Sequence, residues 1–251
     1  MDGYVSFTQK FTTEYVDFDF HDDLRLSSYL NMMQEAAGNH ANELGCGSRF
    51  LWPRNWGFIV TNNYLEIYRP VGIGEEITLE TWPLPPRYIN FERHYDFRDA
   101  AGRQIAAAVS RWCLIDLNAQ RFLPASALTD QDFSRYNPKK VMDFRGWKLP
   151  APDVSAADRV LGQRICSSDC DHYRHANNTR YADYCFNCFS LAELEDRRIR
   201  SFHIVYESQC MEGEDLILSR VPCGEGAYAV SAAKEGGERA MTARIVFSGR
   251  E

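Results

Sequence analysis

The sequence contains an internal repeat, and this repeat limits the possible folds more than any other feature. Residues 17–29 align without a gap with residues 169–181 at an offset of 152, and two aspartates and a tyrosine match in register. Further along, residues 74–79 align with residues 213–218 at an offset of 139, so the first copy is 13 residues longer between these anchors. The extra length falls around residues 51–56. A repeat with so few gaps predicts two copies of one folding unit.

Each copy has the pattern of one long helix followed by four β-strands. In the first copy, residues 26–44 place Leu30, Met33 and Ala37 at helical spacing, lack proline and end before Gly45. Runs rich in aromatic or β-branched residues then predict strands at residues 57–68, 76–82, 90–98 and 105–116. The second copy predicts a helix at residues 177–192 and strands at 201–210, 215–221, 228–233 and 239–247.

A long helix wrapped by a curved antiparallel sheet is the hotdog unit, an α+β fold. A lone unit leaves a sheet edge and apolar surface uncovered, and a second copy can cover both. We therefore predict a tandem double hotdog, with an N-terminal domain at residues 1–123 and a C-terminal domain at 159–251. Between them, residues 124–158 are rich in proline, serine, aspartate and lysine without a sustained period, and are interpreted as a linker.

Charge and hydropathy exclude two classes of partner. The formal net charge is −7 and the pI is near 5.5, whereas a nucleic-acid-binding protein calls for a broad basic surface. No run approaches the ~18 uninterrupted apolar residues of a membrane helix, and the N-terminus lacks a basic region followed by an apolar stretch. We expect a cytoplasmic protein that binds neither nucleic acid nor membrane.

The eight cysteines favour reduced thiols over a disulfide framework or a metal site. Cys185 and Cys188 form a C-x-x-C pair, but it falls within a predicted helix and has no second pair at ligand spacing. Cys166 and Cys170 lie close in sequence to two histidines, yet a zinc site draws tetrahedral ligands from separate turns. We therefore expect no metal and no cofactor.

Four segments of the chain resemble the acyl-acyl-carrier-protein (acyl-ACP) thioesterases of plants and bacteria. In the first half these are LNMMQEAAGNHANELG, YLEIYRPVGIGEEITLETW and SRWCLIDLNAQRFLPAS. In the second half, residues 171–178 match the family signature D-x-N-x-H-x-N-N, except that Tyr173 stands in place of the asparagine. The resemblance covers nearly the whole chain. It implies a tandem double hotdog that hydrolyses fatty acyl-ACP thioesters without a cofactor, binds the acyl chain and acyl carrier protein, and is compatible with a homodimer.

Thioester hydrolysis assigns a role to each residue of this signature. The reaction needs an activated water or a carboxylate nucleophile, a group that orients it, and donors to the carbonyl oxyanion. We predict Asp171 as base or nucleophile, His175 as the orienting or proton-transferring partner, and the Tyr173 hydroxyl as a donor. Backbone N–H groups of Asn177 and Asn178 would face the carbonyl at the start of the second helix. The alternative is that the aspartate and asparagines merely cap that helix.

A second departure from the family concerns the acid across the sheet. The family usually carries glutamate at the position aligned with Gln209, and an amide cannot act as a general base. Glu207 lies two positions earlier on the predicted strand. Residues two apart on a strand point to the same face, roughly 6 to 7 Å from each other. We therefore predict Glu207 as a candidate base and Gln209 as a polar anchor.

In the first copy, only one aspartate of the signature survives. The equivalent positions are Asp19, His21, Asp23, Arg25 and Leu26. The first copy is therefore expected to shape the acyl pocket instead of performing chemistry. Candidate pocket residues are Met32, Met33, Trp56 and Phe58, for which plain core packing is the alternative.

Two other functions remain open at this stage. An acyl-CoA thioesterase or a hotdog dehydratase would use the same fold with other site residues. The departures at Tyr173 and Gln209 also allow a non-catalytic acyl-binding protein. Because acyl carrier protein is acidic, the arginines at 197, 198 and 200, with Arg174 and Arg180, are candidates for a basic surface at the site mouth.

Overall fold

The computed structural model describes residues 3–250 and has an α+β architecture. The elements of the first half are β1 (Phe7–Thr12), α1 (Leu26–Glu43), α2 (Ser48–Leu51), β2 (Trp56–Ile67), β3 (Glu76–Pro83), β4 (Phe91–Arg98), β5 (Gln104–Asp116) and β6 (Arg121–Leu123). Those of the second half are β7 (Arg159–Arg164), α3 (Arg180–Phe186), α4 (Leu191–Leu194), β8 (Arg197–Tyr206), β9 (Asp215–Gly224), β10 (Ala227–Lys234) and β11 (Arg239–Gly249).

Both halves contribute to one antiparallel sheet. Its strand order is β1-β3-β4-β5-β2-β8-β11-β10-β9-β7, and the short β6 pairs with β5. Read outward from the centre, the second half repeats the order of the first. The halves meet where β2 pairs with β8, from Asn62 opposite Val205 to Glu66 opposite Ser201. The repeat seen in the sequence is thus a repeat of strand order about this central pair.

The helix predicted at residues 26–44 is confirmed as α1 (Leu26–Glu43). Its apolar stripe faces the sheet, and Tyr29, Leu30, Met33 and Ala36 are at most 2% exposed. They belong to a core that also includes residues of β8 to β11, so one continuous apolar interior spans both copies. The long helix forms because this stripe can be buried on the sheet, which contributes most of a helix's stability.

The second helix is shorter than predicted. The expected helix at residues 177–192 is divided into α3 and α4, with a break after Phe186. The Asn177 side-chain oxygen accepts the backbone N–H of Thr179 at 3.0 Å, which delays the start of α3. Ser190 and Glu193 form a reciprocal capping box that begins a separate helix.

The strand prediction was wrong at two outer positions and at one end. The edge strands β1 and β7 were missed, because each is a six-residue edge strand with only a weak alternation of apolar residues. The strand predicted at residues 201–210 lies instead at Arg197–Tyr206. Consequently Glu207 and Gln209 lie in the loop after β8, and the strand-face argument that paired them does not apply.

The segment 124–158 packs against the rest of the protein: Ala125 and Leu128 lie in the smaller apolar cluster, and Phe144 and Trp147 lie against the sheet. The Asn62 side chain donates to the Trp147 carbonyl at 2.8 Å, and the Arg111 guanidinium lies 3.9 Å from the centre of the Trp147 ring. Phe144 stacks on Tyr64 at 4.2 Å between ring centres. The segment is therefore tied to β2 and β5 near the junction of the halves. Within residues 3–250, no helix is long and apolar enough to cross a membrane.

Candidate active site

The signature segment forms a tight turn closed by its own backbone. The Asp171 N–H donates to the His175 carbonyl at 2.9 Å, and the Arg174 N–H donates to the Asp171 carbonyl at 2.9 Å. One carboxylate oxygen of Asp171 accepts the Tyr173 N–H at 2.8 Å. Arg174 takes a left-handed backbone conformation with φ of 66°. The turn places the side chains of Asp171, Tyr173 and His175 together.

The first copy folds into the same turn. The Asp19 N–H donates to the Asp23 carbonyl at 2.9 Å, and the Asp19 carboxylate accepts the His21 N–H at 2.9 Å. Asp22, the equivalent of Arg174, is also left-handed, with φ of 55°. A shared structural role therefore explains why this aspartate occurs in both copies. In Asp171 the other carboxylate oxygen has no hydrogen-bond donor among residues 3–250.

The histidine and tyrosine flank this carboxylate. His175 Nδ1 lies 4.0 Å from Asp171 Oδ1, and 23% and 22% of the two side chains are exposed. The rings of Tyr173 and His175 are nearly parallel, at 18°, with centres 6.1 Å apart. The 4.0 Å separation is longer than a direct hydrogen bond, so a bridging water or a small rotation of the imidazole is required to connect the pair.

Of the two predicted backbone donors to a substrate oxyanion, the N–H group of Asn177 is already used. The Asn177 N–H donates to the Asp169 carbonyl, and the Ala176 N–H donates to the Cys210 carbonyl, both at 2.8 Å. Because α3 starts only at Arg180, the segment also lies outside the first helical turn. The expectation that the Asn177 N–H polarises the substrate carbonyl was therefore wrong. The Asn178 carbonyl accepts the Tyr206 hydroxyl at 3.0 Å.

The loop after β8 contributes a fixed carboxylate and a free amide. Both oxygens of Glu207 lie 2.7 Å from Arg239 Nε, and one accepts the Thr242 hydroxyl at 2.8 Å. The Gln209 side chain makes no hydrogen bond within the described part of the chain. Next to it, burial raises the pKa of the Cys210 thiol, so this thiol is a poor nucleophile.

A cavity of about 650 Å³ extends from the signature turn into the first half. It lies between α1, the residues after α1, the start of β2, and β4. Its apolar wall includes Ala37, Ala41, Leu51, Phe58, Phe91 and Trp112. At its polar end lie Asp171, Tyr173, His175, Asn177, Asn178, Glu207 and Gln209. The signature residues and the loop after β8, although on separate segments, thus line one space.

Of the four pocket residues predicted in the first half, one lines the cavity and three do not. Phe58 lines the cavity. Met32 and Met33 do not line it, because they point into the core and are 6% and 2% exposed. Trp56 packs on a smaller apolar cluster and is also absent from the cavity wall. The prediction missed Trp52, whose only sequence signal is its position in the segment that the second copy lacks.

The equivalent place in the first copy is closed. Asp23 occupies the position of His175 and pairs with Arg198 at 3.2 Å and with Arg250. Only about 40 Å³ of space remains there. Arg197 and Arg198 line this small space, so these two of the predicted arginines lie at the closed copy and not at the site mouth. Arg174 lies in the signature turn, and Arg180 pairs with Asp169 and Asp183. Arg200 donates to the Ile67 carbonyl at 3.0 Å. Across residues 3–250, no three or more histidine, cysteine or acidic side chains are grouped to hold a metal ion.

Comparison with protein-family models gives two adjacent matches. The model of the acyl-ACP thioesterase N-terminal domain matches residues 4–128, and that of the C-terminal domain matches residues 156–246. The chain belongs to the acyl-ACP thioesterase family. The resemblance read from the sequence segments is thereby confirmed.

Relatives and solved structures of acyl-ACP thioesterases agree with this assignment. The chain is 23% identical to the chloroplastic palmitoyl-acyl carrier protein thioesterase of Arabidopsis thaliana, over 90% of this chain and 56% of the relative. It is 18% identical to the chloroplastic oleoyl-acyl carrier protein thioesterase 1 of that plant, over 84% of this chain and 62% of the relative. The chain therefore spans less than two thirds of the length of these relatives.

Two solved structures confirm the double-hotdog fold. An acyl-ACP thioesterase from Bacteroides thetaiotaomicron superposes with a TM-score of 0.87 at 23% identity, covering 97% of this chain and 98% of the other. The 12:0-ACP thioesterase from Umbellularia californica superposes with a TM-score of 0.88 at 21% identity, covering 98% of each chain. The predicted α+β tandem architecture is thus correct.

Proposed function

We propose that this member of the acyl-ACP thioesterase family hydrolyses fatty acyl-ACP thioesters to free fatty acid and acyl carrier protein. The observation that carries the proposal is the apolar cavity of about 650 Å³ that ends at Asp171, Tyr173 and His175. A cavity of this size with convergent polar groups at one end is typical of a small-molecule site. An acyl chain fills the apolar part, and its thioester lies beside the signature turn.

The chemistry follows from the positions of these groups. Asp171 accepts a proton from a water as the water oxygen attacks the thioester carbon, and the carbonyl oxygen becomes an oxyanion. Asp171 then passes this proton to His175, through a bridging water or after a small rotation of the imidazole. When the tetrahedral intermediate collapses, the C–S bond breaks and His175 donates the proton to the leaving thiolate. Water thus supplies the hydroxyl of the acid and the proton of the thiol. General acid–base assistance of this kind contributes roughly 10²- to 10⁴-fold.

Asp171 is preferred to Glu207 as the base. Both oxygens of the Glu207 carboxylate already accept hydrogen bonds, from Arg239 and, at one oxygen, also from the Thr242 hydroxyl. Asp171 uses one oxygen in the turn and keeps the other for water. Isotope labelling distinguishes this role from direct attack by Asp171 on the thioester. Direct attack forms an anhydride, and its hydrolysis in ¹⁸O-water would place ¹⁸O in the aspartate over repeated turnovers.

The sharpest test uses the duplication. Purified protein is assayed on acyl-ACP thioesters of several chain lengths, and Asp171→Asn is compared with Asp19→Asn, the same change in the same turn of the inactive copy. We expect Asp171→Asn to lower kcat at least about 100-fold. Asp19→Asn should leave kcat unchanged, because either amide can still accept the turn N–H. Equal losses in both variants would show that the aspartate acts only through the turn.

The departures at Tyr173 and Gln209 support a second candidate, a non-catalytic acyl-binding protein. Binding of acyl-ACP without turnover by the unmodified protein would favour it. The same assay with acyl-CoA tests whether the carrier is coenzyme A, and faster turnover of acyl-CoA would favour that alternative. A cytoplasmic location and a homodimer remain predictions from the sequence.

A further inference from the structure

Trp52 connects the extra segment of the first copy to the catalytic turn of the second. Its indole N–H donates to the Tyr173 hydroxyl at 3.0 Å. The Trp52 ring also lies 5.4 Å from the ring of His172. Trp52 is 52% exposed, so its position is not explained by burial in a core. The one hydrogen bond that its side chain makes among residues 3–250 goes to a residue that lines the cavity.

This hydrogen bond determines what the tyrosine can offer to a substrate. A phenolic hydroxyl has one proton and can also accept, whereas an indole N–H can only donate. Tyr173 must therefore accept from Trp52, and its own proton has no acceptor among residues 3–250. Beside the hydroxyl, a Cβ added at Gly57 would lie 3.8 Å from the tyrosine oxygen, so glycine leaves the space next to it open. The free proton is available to a group in the cavity.

A side-chain donor complements the backbone at the oxyanion, because five of the eight backbone N–H groups of residues 171–178 are already engaged. The N–H groups of Asp171, Tyr173, Arg174, Ala176 and Asn177 all have acceptors within the protein. A donor fixed in advance at the developing negative charge stabilises the transition state without reorganisation. Among the side chains of the turn, Tyr173 combines an unused proton with a fixed oxygen.

We propose that Trp52 is a positioning residue that holds the Tyr173 hydroxyl so that its proton points to the thioester oxyanion. This inference rests on the proposed function. It gives a role to the 13 additional residues of the first copy, which bring the indole across the junction of the halves. The accepted hydrogen bond also polarises the hydroxyl and strengthens it as a donor.

A double-mutant cycle tests this proposal. Trp52→Phe removes the donor, Tyr173→Phe removes the hydroxyl, and the double variant removes both. Trp56→Phe is the matched control, since it makes the same change nearby at a residue that does not line the cavity. For each protein, kcat and KM are measured on acyl-ACP, together with the binding of a non-hydrolysable acyl thioether and the urea midpoint of unfolding.

We expect Tyr173→Phe to lower kcat about 100-fold, as for loss of one oxyanion donor. Trp52→Phe should lower kcat about fivefold, as for loss of one neutral hydrogen bond, without changing KM or thioether binding. In the Tyr173→Phe background it should have no further effect, because no hydroxyl remains to be oriented. Trp52→Phe should likewise have no further effect on kcat in a Tyr173→Asn background, because the shorter amide does not reach the indole.

Three results would overturn the inference. These are an unchanged kcat in Trp52→Phe, an equal loss of kcat in the presence and absence of the hydroxyl, and an effect on KM alone. Each leaves turnover by the unmodified enzyme intact, so the proposed function would stand. Failure of the unmodified protein to hydrolyse any thioester would overturn both proposals before a variant is made.

Discussion

At the scale of single residues, Asp171 has a structural role in the turn beside the chemical role proposed for it. Asp19, its equivalent in the first copy, makes the same turn contact, so sequence similarity between the copies at this position reports the turn. The difference lies two and four residues later, where Tyr173 and His175 replace His21 and Asp23. The two turns thus share a backbone conformation and differ in the side chains that they carry.

The fixed position of Glu207 leads to a prediction at this scale. Because Arg239 and Thr242 hold its carboxylate, we expect Glu207→Gln to retain kcat within about tenfold and to keep the pH profile of the unmodified enzyme. A loss comparable to that of Asp171→Asn, with disappearance of the acidic limb of the pH profile, would instead identify Glu207 as the base. Steady-state assays from pH 5 to 9 distinguish the two.

Sequence alone identified the signature segment that lines the cavity but not its environment. Residues 171–178 could be recognised because the signature is contiguous. The partners of the turn could not be, since Trp52 is separated from Tyr173 by 121 positions and Arg239 from Glu207 by 32. Such contacts depend on how the chain packs in three dimensions. The local spacing of apolar residues carries no information on this packing. The roles of Asp171, Tyr173 and His175 remain predictions for the experiments above.

At the scale of elements, α1 and the segment after it form much of the apolar wall, while the second half supplies the polar end. Helix α1 was predictable because its apolar spacing is regular. The residues of α1 that line the pocket were not predictable. Met33 and Ala37 lie one helical turn apart on α1, and only Ala37 lines the cavity. The edge strands β1 and β7 were missed because short edge strands carry little periodic signal.

The cavity wall on α1 gives a prediction on chain length. Ala37 is 7% exposed and lines the cavity, so Ala37→Leu places extra carbon atoms within it. We expect the preference among acyl-ACP substrates to shift to shorter chains, because the longest chains no longer fit. Overpacking is expected to lower the free energy of unfolding by about 1 to 3 kcal/mol.

Met33→Leu is the control for this experiment. It is a volume-conserving change on the same helix at a residue that faces the core. Chain-length profiles of the two variants are compared with the unmodified enzyme by competition between mixed substrates. A profile unchanged in Ala37→Leu would place the acyl chain elsewhere.

At the scale of the whole molecule, one sheet and one core span both copies, so we expect a single cooperative unfolding transition. The proposed boundaries at residues 123 and 159 therefore separate repeats, not independently folding units. The sequence could establish that the chain is duplicated. It could not predict that β2 pairs with β8, because the alternation of residues within a strand does not depend on which strand lies next to it.

Two buried histidines make global stability dependent on pH. Burial, with nearby Arg93, lowers the pKa of His40 to about 3, and burial, with nearby Arg244, lowers that of His203 to about 4. In the unfolded chain both titrate near 6.5. Between these values the unfolded state binds more protons, so stability is full above about pH 6.5 and falls as the pH decreases. Each histidine contributes a loss of about 2 kcal/mol at pH 5.

Urea unfolding at pH 7 and pH 5 measures this effect. His203→Gln should reduce the difference in unfolding free energy between the two pH values by about 2 kcal/mol. The control His172→Gln, at an exposed position in the turn, should leave the difference unchanged. If His203→Gln and His172→Gln respond to pH alike, His203 is not the group that titrates.

The closed turn of the first copy has a consequence for how such proteins change over evolutionary time. If two identical chains formed this sheet, symmetry would give both turns the same residues, and any change would alter two reaction centres at once. Joining the copies in one chain removes that constraint. Asp23 could then pair with Arg198 and Arg250 while His175 was kept. One half is then free to vary its part of the cavity wall without a change in residues 171–178 of the other half.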